Sequence, residues 1–172
     1  TGSLCTKLYK ANLFENVRFD EQLRINEDLY VNYKVFNKAK VIVFSGATKY
    51  KYFEREESSA TRIKNKKKVL DALKVAEYIY EDSKENDTLK CIAARKFFIA
   101  LTNTYRSLIF FPSNDQDKIK REICTKIEEI RPLCRDISLK YKFNFKFMKY
   151  LPVFYKFLYQ IYDLLRNPNW DV

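Results

Sequence analysis

The sequence contains no histidine. That removes imidazole-based acid–base catalysis, the Ser-His-Asp and Cys-His nucleophile systems, and almost every histidine-containing metal site. Glycine occurs only at Gly2 and Gly46. Two isolated glycines cannot build a phosphate-binding loop or a dinucleotide fingerprint. No stretch approaches the run of about 20 apolar residues that a membrane-spanning helix needs. No basic, apolar N-terminal segment resembles a signal peptide, so a cytoplasmic location is the expectation. The four cysteines, Cys5, Cys91, Cys124 and Cys134, form no Cys-x-x-Cys pair. A zinc ribbon is therefore unsupported, and the thiols are expected to be reduced and mostly buried. The sequon Asn86-Asp87-Thr88 has no meaning in that compartment.

What the chain does have is a core and a charge. Of 172 residues, 47% are hydrophobic, enough for a buried core. Lys and Arg total 33 against 22 acids, a net charge of +11. Tyr and Phe number 13 and 14, beside a single Trp. Lys, Asn, Ile, Tyr and Phe are all favoured by A/T-rich codons, which yields much of this composition without functional demand.

The texture changes along the chain. No glycine follows Gly46, which suits helices and argues against hairpins. Residues 1–61 hold ten cations and eight acids, whereas residues 62–172 hold 23 and 14. A boundary is placed near Thr61. Before it, Asn26–Lys38 reads as a helix with Leu29, Tyr33 and Phe36 on one side. Lys40-Val41-Ile42-Val43-Phe44, stopped by Ser45-Gly46, reads as a strand, and Lys49–Phe53 as a second. Ser58-Ser59-Ala60-Thr61 offers hydroxyl caps for a helix. Beyond the boundary the pattern is helical. One helix carries Val69, Ala72, Leu73, Ala76, Ile79 and Tyr80. Another, capped by Asp87, runs from Leu89 to Leu108 and is apolar nearly all round, which places it centrally. A third spans Asp115–Ile130, and a last spans Phe145–Arg166 with Pro152 near its first turns.

Lys7-Leu8-Tyr9-Lys10, Phe14, Val17-Arg18-Phe19-Asp20, Glu27-Asp28, Tyr33-Lys34, Ala39-Lys40-Val41, Tyr50-Lys51-Tyr52, Arg55 and Ser58 follow one another in order. This order resembles the C-terminal half of bacterial family 2 glycosyltransferases with the GT-A fold. Those enzymes show a KLY segment, an IRF segment, an ED pair opening a helix, an AKKV strand entry and a YxYxxRxxS segment. The resemblance covers Lys7 to Thr61, about a third of the chain.

The resemblance implies an α+β, mostly α fold. Residues 1–61 would be the C-terminal fragment of a GT-A-type α/β domain, with one or two short strands and a helix. Residues 62–172 would be an α-helical C-terminal extension. It implies an inverting, nucleotide-sugar-dependent glycosyltransferase of cell-surface polysaccharide or glycolipid biosynthesis. Asp28 would be the general base, Glu27 a supporting carboxylate, and Arg55 and Ser58 contacts to the donor. Arg55 could equally make surface pairs with Glu54, Glu56 and Glu57. A saccharide or lipid-linked acceptor is expected, at the inner face of the plasma membrane.

The resemblance also has a gap. The family's nucleotide-binding half carries a DxD motif that holds Mg or Mn, and nothing here corresponds to it. Asp115-Gln116-Asp117 follows the ED pair instead of preceding it and reads as the acidic first turn of a helix. Asn26 stands where the family often has an apolar residue. A polypeptide of these 172 residues is thus expected to bind no metal, to be inactive alone and, with apolar surface uncovered, to form a homodimer.

Two features fall outside the resemblance. Arg62–Lys68 is a dense basic run, either a solvated helix start or an anion-attracting patch. Tyr141–Arg166 interleaves Lys with Phe and Tyr, which suits either packing onto a helical bundle or an anionic membrane interface. The competing function is thus a basic helical module on a membrane surface or on nucleic acid. The chain lacks the marks of known nucleic-acid modules, so no nucleic-acid partner is expected.

Overall fold

The computed structural model describes residues 3–47, 50–51, 65–111 and 114–166, the last with residues 163, 164 and 166 in backbone only. The chain divides into two compact units, Thr1–Ile79 and Tyr80–Val172. Thr61 lies outside the described residues.

In the first unit, a 3₁₀ turn at Ala11–Phe14 precedes helix α1, Glu27–Lys38. Its small core joins Val17, Val31 and Val35 to Leu4, Tyr9, Leu13 and Phe14. The buried face of α1 is therefore Val31, Asn32 and Val35. The larger Leu29 and Phe36, expected on the inner side, are exposed. A short N-terminal segment offers room only for compact side chains one turn apart. Helix α2, Lys66–Asp82, follows Asn65, whose side chain accepts the Lys68 N–H at 2.9 Å. This cap offsets the three lysines at the helix's positive end. Within this unit the buried Asp71 carboxylate accepts the Arg24 N–H at 3.0 Å, and the Tyr30 and Tyr78 rings lie 5.3 Å apart.

The expected α+β class is corrected here. Among the described residues every regular element is helical, and no strand or sheet is present. Lys40–Phe44 has strand composition, yet Val41, Ile42, Val43 and Phe44 are all exposed and irregular. A strand exists only through its ladder, and no second strand completes one among the described residues. Of Lys49–Phe53, only Tyr50 and Lys51 are described, and they too are irregular.

The second unit is built on helix α3, Asp87–Leu108. Its cap is Asn86, not Asp87: the Asn86 side chain accepts the Leu89 N–H at 3.0 Å. Ala94, Phe98, Leu101, Thr102 and Leu108 are almost fully buried along one broad face, while Leu89, Ile92, Arg95 and Lys96 on the opposite side are exposed. Thr102 satisfies its hydroxyl on the Phe98 carbonyl, 3.0 Å away. Helix α4, Gln116–Ile130, packs on α3 with Ile123, Ile127 and Ile130 buried along one stripe. Pro132 then turns the chain through a 3₁₀ segment, Arg131–Leu133.

The single last helix expected from the sequence is two, α5 at Leu139–Tyr150 and α6 at Pro152–Arg166. Proline cannot donate to the preceding turn and forces its predecessor out of the helical region. Leu151 has φ −134° and ψ 55°, and Pro152 opens the new helix. Phe145 of α5 meets Phe98 edge-on at 6.2 Å, and Tyr155 of α6 meets Tyr105 at 6.0 Å. The Tyr105 hydroxyl donates to the Met148 carbonyl at 3.2 Å.

The cysteines are free, as expected, but not mostly buried: Cys5 and Cys91 are exposed and Cys134 is buried. Burial pushes the Cys134 thiol up to about 11.

Two tests follow from the second unit's core. Leu101→Ala leaves a cavity at its centre and should cost about 2–5 kcal/mol in a urea unfolding titration. Burial raises the Tyr105 phenol to about 12, above the ordinary 10 of the unfolded chain. Stability should therefore be intact below pH 10 and fall as pH rises to about 12; in Tyr105→Phe that loss should shrink.

Candidate functional site

The chemistry singled out in the sequence converges on the first turn of α1. Asn26 stands at the N-cap position in a left-handed conformation, φ 63° and ψ 12°, without a side-chain capping bond. Asparagine tolerates this region better than most residues. The reversal puts Glu27 and Asp28 in the first turn, where the helix dipole favours negative charge.

Asp28 is half-buried. Its Oδ1 accepts the Leu29 N–H at 2.7 Å, while Oδ2 has no partner among the described residues. Glu27 is also half-buried, and its Oε2 is shut away from water with no hydrogen-bond partner among the described residues. Carboxylate oxygens in that state are acceptors without a donor.

Two neighbours complete the site, and neither was chosen from sequence. Asn32 lies one turn beyond Asp28 and is buried. The Tyr9 hydroxyl donates to Asn32 Oδ1. Burial, followed by the nearby charges of Asp28 and Cys5, raises the Tyr9 phenol, so it stays protonated as a donor at neutral pH. Phe14 meets the Tyr9 ring edge-on at 5.3 Å. Tyr9 thus ties the N-terminal segment to α1 beside the acidic turn. The i, i+4 spacing of Asp28 and Asn32 was a usable signal for Asn32. Tyr9 stands in the Lys7-Leu8-Tyr9-Lys10 segment, which marks it as structural, but its partner 23 residues away has no local signal.

Of the four expected site residues, Glu27 and Asp28 are adjacent in one turn. Arg55 and Ser58 lie outside the described residues. No group of three His, Cys, Asp or Glu side chains able to hold a metal occurs among the described residues. The Asp115-Gln116-Asp117 triplet sits at the start of α4, with Asp117 in its first turn.

No protein-family model, curated protein or solved structure matches this chain.

Removing the hydroxyl with Tyr9→Phe should lower the stability of the first unit by about 1 kcal/mol. Faster hydrogen exchange at the α1 amides, with those of α3 unchanged, would be the reading.

Proposed function

We propose that the first unit carries the catalytic-base segment of an inverting glycosyltransferase, with Asp28 as the base. The observation that supports it best is the half-buried Asp28 carboxylate at the dipole-favoured start of α1, with Oδ1 held by the Leu29 N–H. It stands in the segment order Lys7–Tyr9, Val17–Asp20, Glu27–Asp28 and Ala39–Val41.

The chemistry asks little more of this segment. An acceptor hydroxyl attacks the anomeric carbon of a nucleotide-diphosphate sugar. The new carbon–oxygen bond forms as the bond to the diphosphate breaks, and the diphosphate leaves with the electron pair. The hydroxyl becomes acidic as it attacks, so a carboxylate within hydrogen-bond reach can take the proton. One in-line displacement with one base inverts the anomeric centre. Glu27, whose Oε2 is shut away from water, supports the turn in this reading and does not touch the reacting atoms. Asn32 and Tyr9 hold the turn in position without touching the reacting atoms.

The donor diphosphate and its Mg or Mn require carboxylates that the described residues do not bring together. In this reading they belong to a donor half encoded outside these 172 residues, and the 172 residues alone turn over no donor. The acceptor is a saccharide or a lipid-linked saccharide.

Asp28→Asn, made in the protein expressed from its whole gene, tests the assignment. Turnover of a nucleotide-diphosphate sugar panel should fall about 10²–10⁴-fold with nucleotide binding retained. Undiminished turnover would remove Asp28 from the role.

A further inference from the structure

We propose that α5 and α6 form a surface that lies in the plane of an anionic lipid bilayer. The inference rests on the second unit alone and is independent of the glycosyltransferase reading.

Helix α6 buries only one edge of its apolar face. Tyr155 is 3% exposed, whereas Phe154, Phe157, Leu158, Ile161 and Leu165 range from 38% to 79%. Their spacing of three, four and seven puts these five side chains on one continuous arc. Such a face in water needs a cover.

Length decides how a bilayer would meet it. Fifteen residues make a helix of about 22 Å, short of the ~30 Å hydrocarbon core. No described helix is long and apolar enough to cross a membrane. A helix of this kind lies along the interface with its apolar face down.

Charge decides which bilayer. The outer face of α5 sets Phe143 and Tyr150, both exposed and two turns apart, beside a row formed by Lys142, Lys146 and Lys149, of which Lys149 pairs with Glu128 of α4 and Lys142 donates to the Arg135 carbonyl at 2.7 Å. Residues 137–166 hold six cations and one acid, Asp163. Lys142 and Lys146 also rim a cleft of about 340 Å³ with Arg131 and Arg135, over an apolar floor that includes Phe98 and Phe145. Helices α5 and α6 join through the Phe147 and Phe154 rings, 6.2 Å apart. Aromatic rings among lysines match a headgroup layer, where rings sit at the polar boundary and ammonium groups meet lipid phosphate.

A second copy fits less well. Lysine is depleted at protein–protein interface cores, and pairing this face with itself would bring two cationic rows together. An anionic bilayer removes that repulsion.

Flotation of the whole chain with vesicles tests the proposal. The vesicles are phosphatidylcholine alone, or phosphatidylcholine and phosphatidylglycerol at about two to one. At about 0.1 M salt the protein should float with the mixed vesicles and be released as salt approaches about 1 M. It should not float with phosphatidylcholine alone. Phe157→Glu with Ile161→Glu alters exposed positions and should abolish flotation with helix content by circular dichroism unchanged. Lys142→Gln with Lys146→Gln, which leaves the apolar arc intact, should weaken partitioning on the order of tenfold. Failure to float with the mixed vesicles would overturn the proposal, as would equal flotation with neutral ones. A dimer that dissociates in the Phe157/Ile161 variant would give the face to a second copy and overturn it too.

Discussion

The second unit depends on covering α3. That helix buries one broad face and leaves Leu89, Ile92, Arg95 and Lys96 exposed on the other; an uncovered inner face would place Phe97, Phe98 or Leu108 in water. Helix α4 covers one part of that face with its isoleucine stripe, α5 another with Phe145 and Met148, and Tyr155 of α6 a further edge. The inner face of a helix of 22 residues has a finite area. Once it is covered, further apolar groups of α6 find no place on it. The aromatics of α6 exceed what α3 can bury, and the surplus faces outward. Burial is thus the cause of both the rigid centre of this unit and its exposed apolar face.

The first unit is held by less. A handful of side chains around Val17, Val31 and Val35, with the Tyr9–Asn32 hydrogen bond beside them, fix the acidic turn of α1. In the proposed role, the Asp28 oxygen with no partner among the described residues is the one offered to an acceptor hydroxyl. The left-handed Asn26 and the unpartnered Glu27 oxygen are the local costs of that arrangement, and such departures concentrate where function is expected.

Much of the helical architecture was legible in the sequence, because period 3.6 is a local signal. The central place of α3, the limits of α4 and the existence of α1 follow from spacing and caps. The misses share one cause: they depend on partners distant in the chain. Val41–Phe44 has strand composition, but a strand requires a neighbour that composition does not supply. The inward face of α1 was set by the small N-terminal segment it meets, so Val31 and Val35 displaced Leu29 and Phe36. The break at Leu151–Pro152 was the exception, a local signal whose strength was underrated: proline opened a new helix where continuation was expected. At the site, Glu27 and Asp28 were visible as a motif, whereas Tyr9 gained its place through a contact across 23 residues.

The coding DNA upstream of Thr1 tests the central claim, that α1 presents a glycosyl-transfer base, most directly. The expected finding is an in-frame segment of about a hundred residues or more, with strand–helix repeats and an acidic DxD at a strand end. A start codon at or just before Thr1 would contradict the claim, since a base with no donor half has no sugar to transfer.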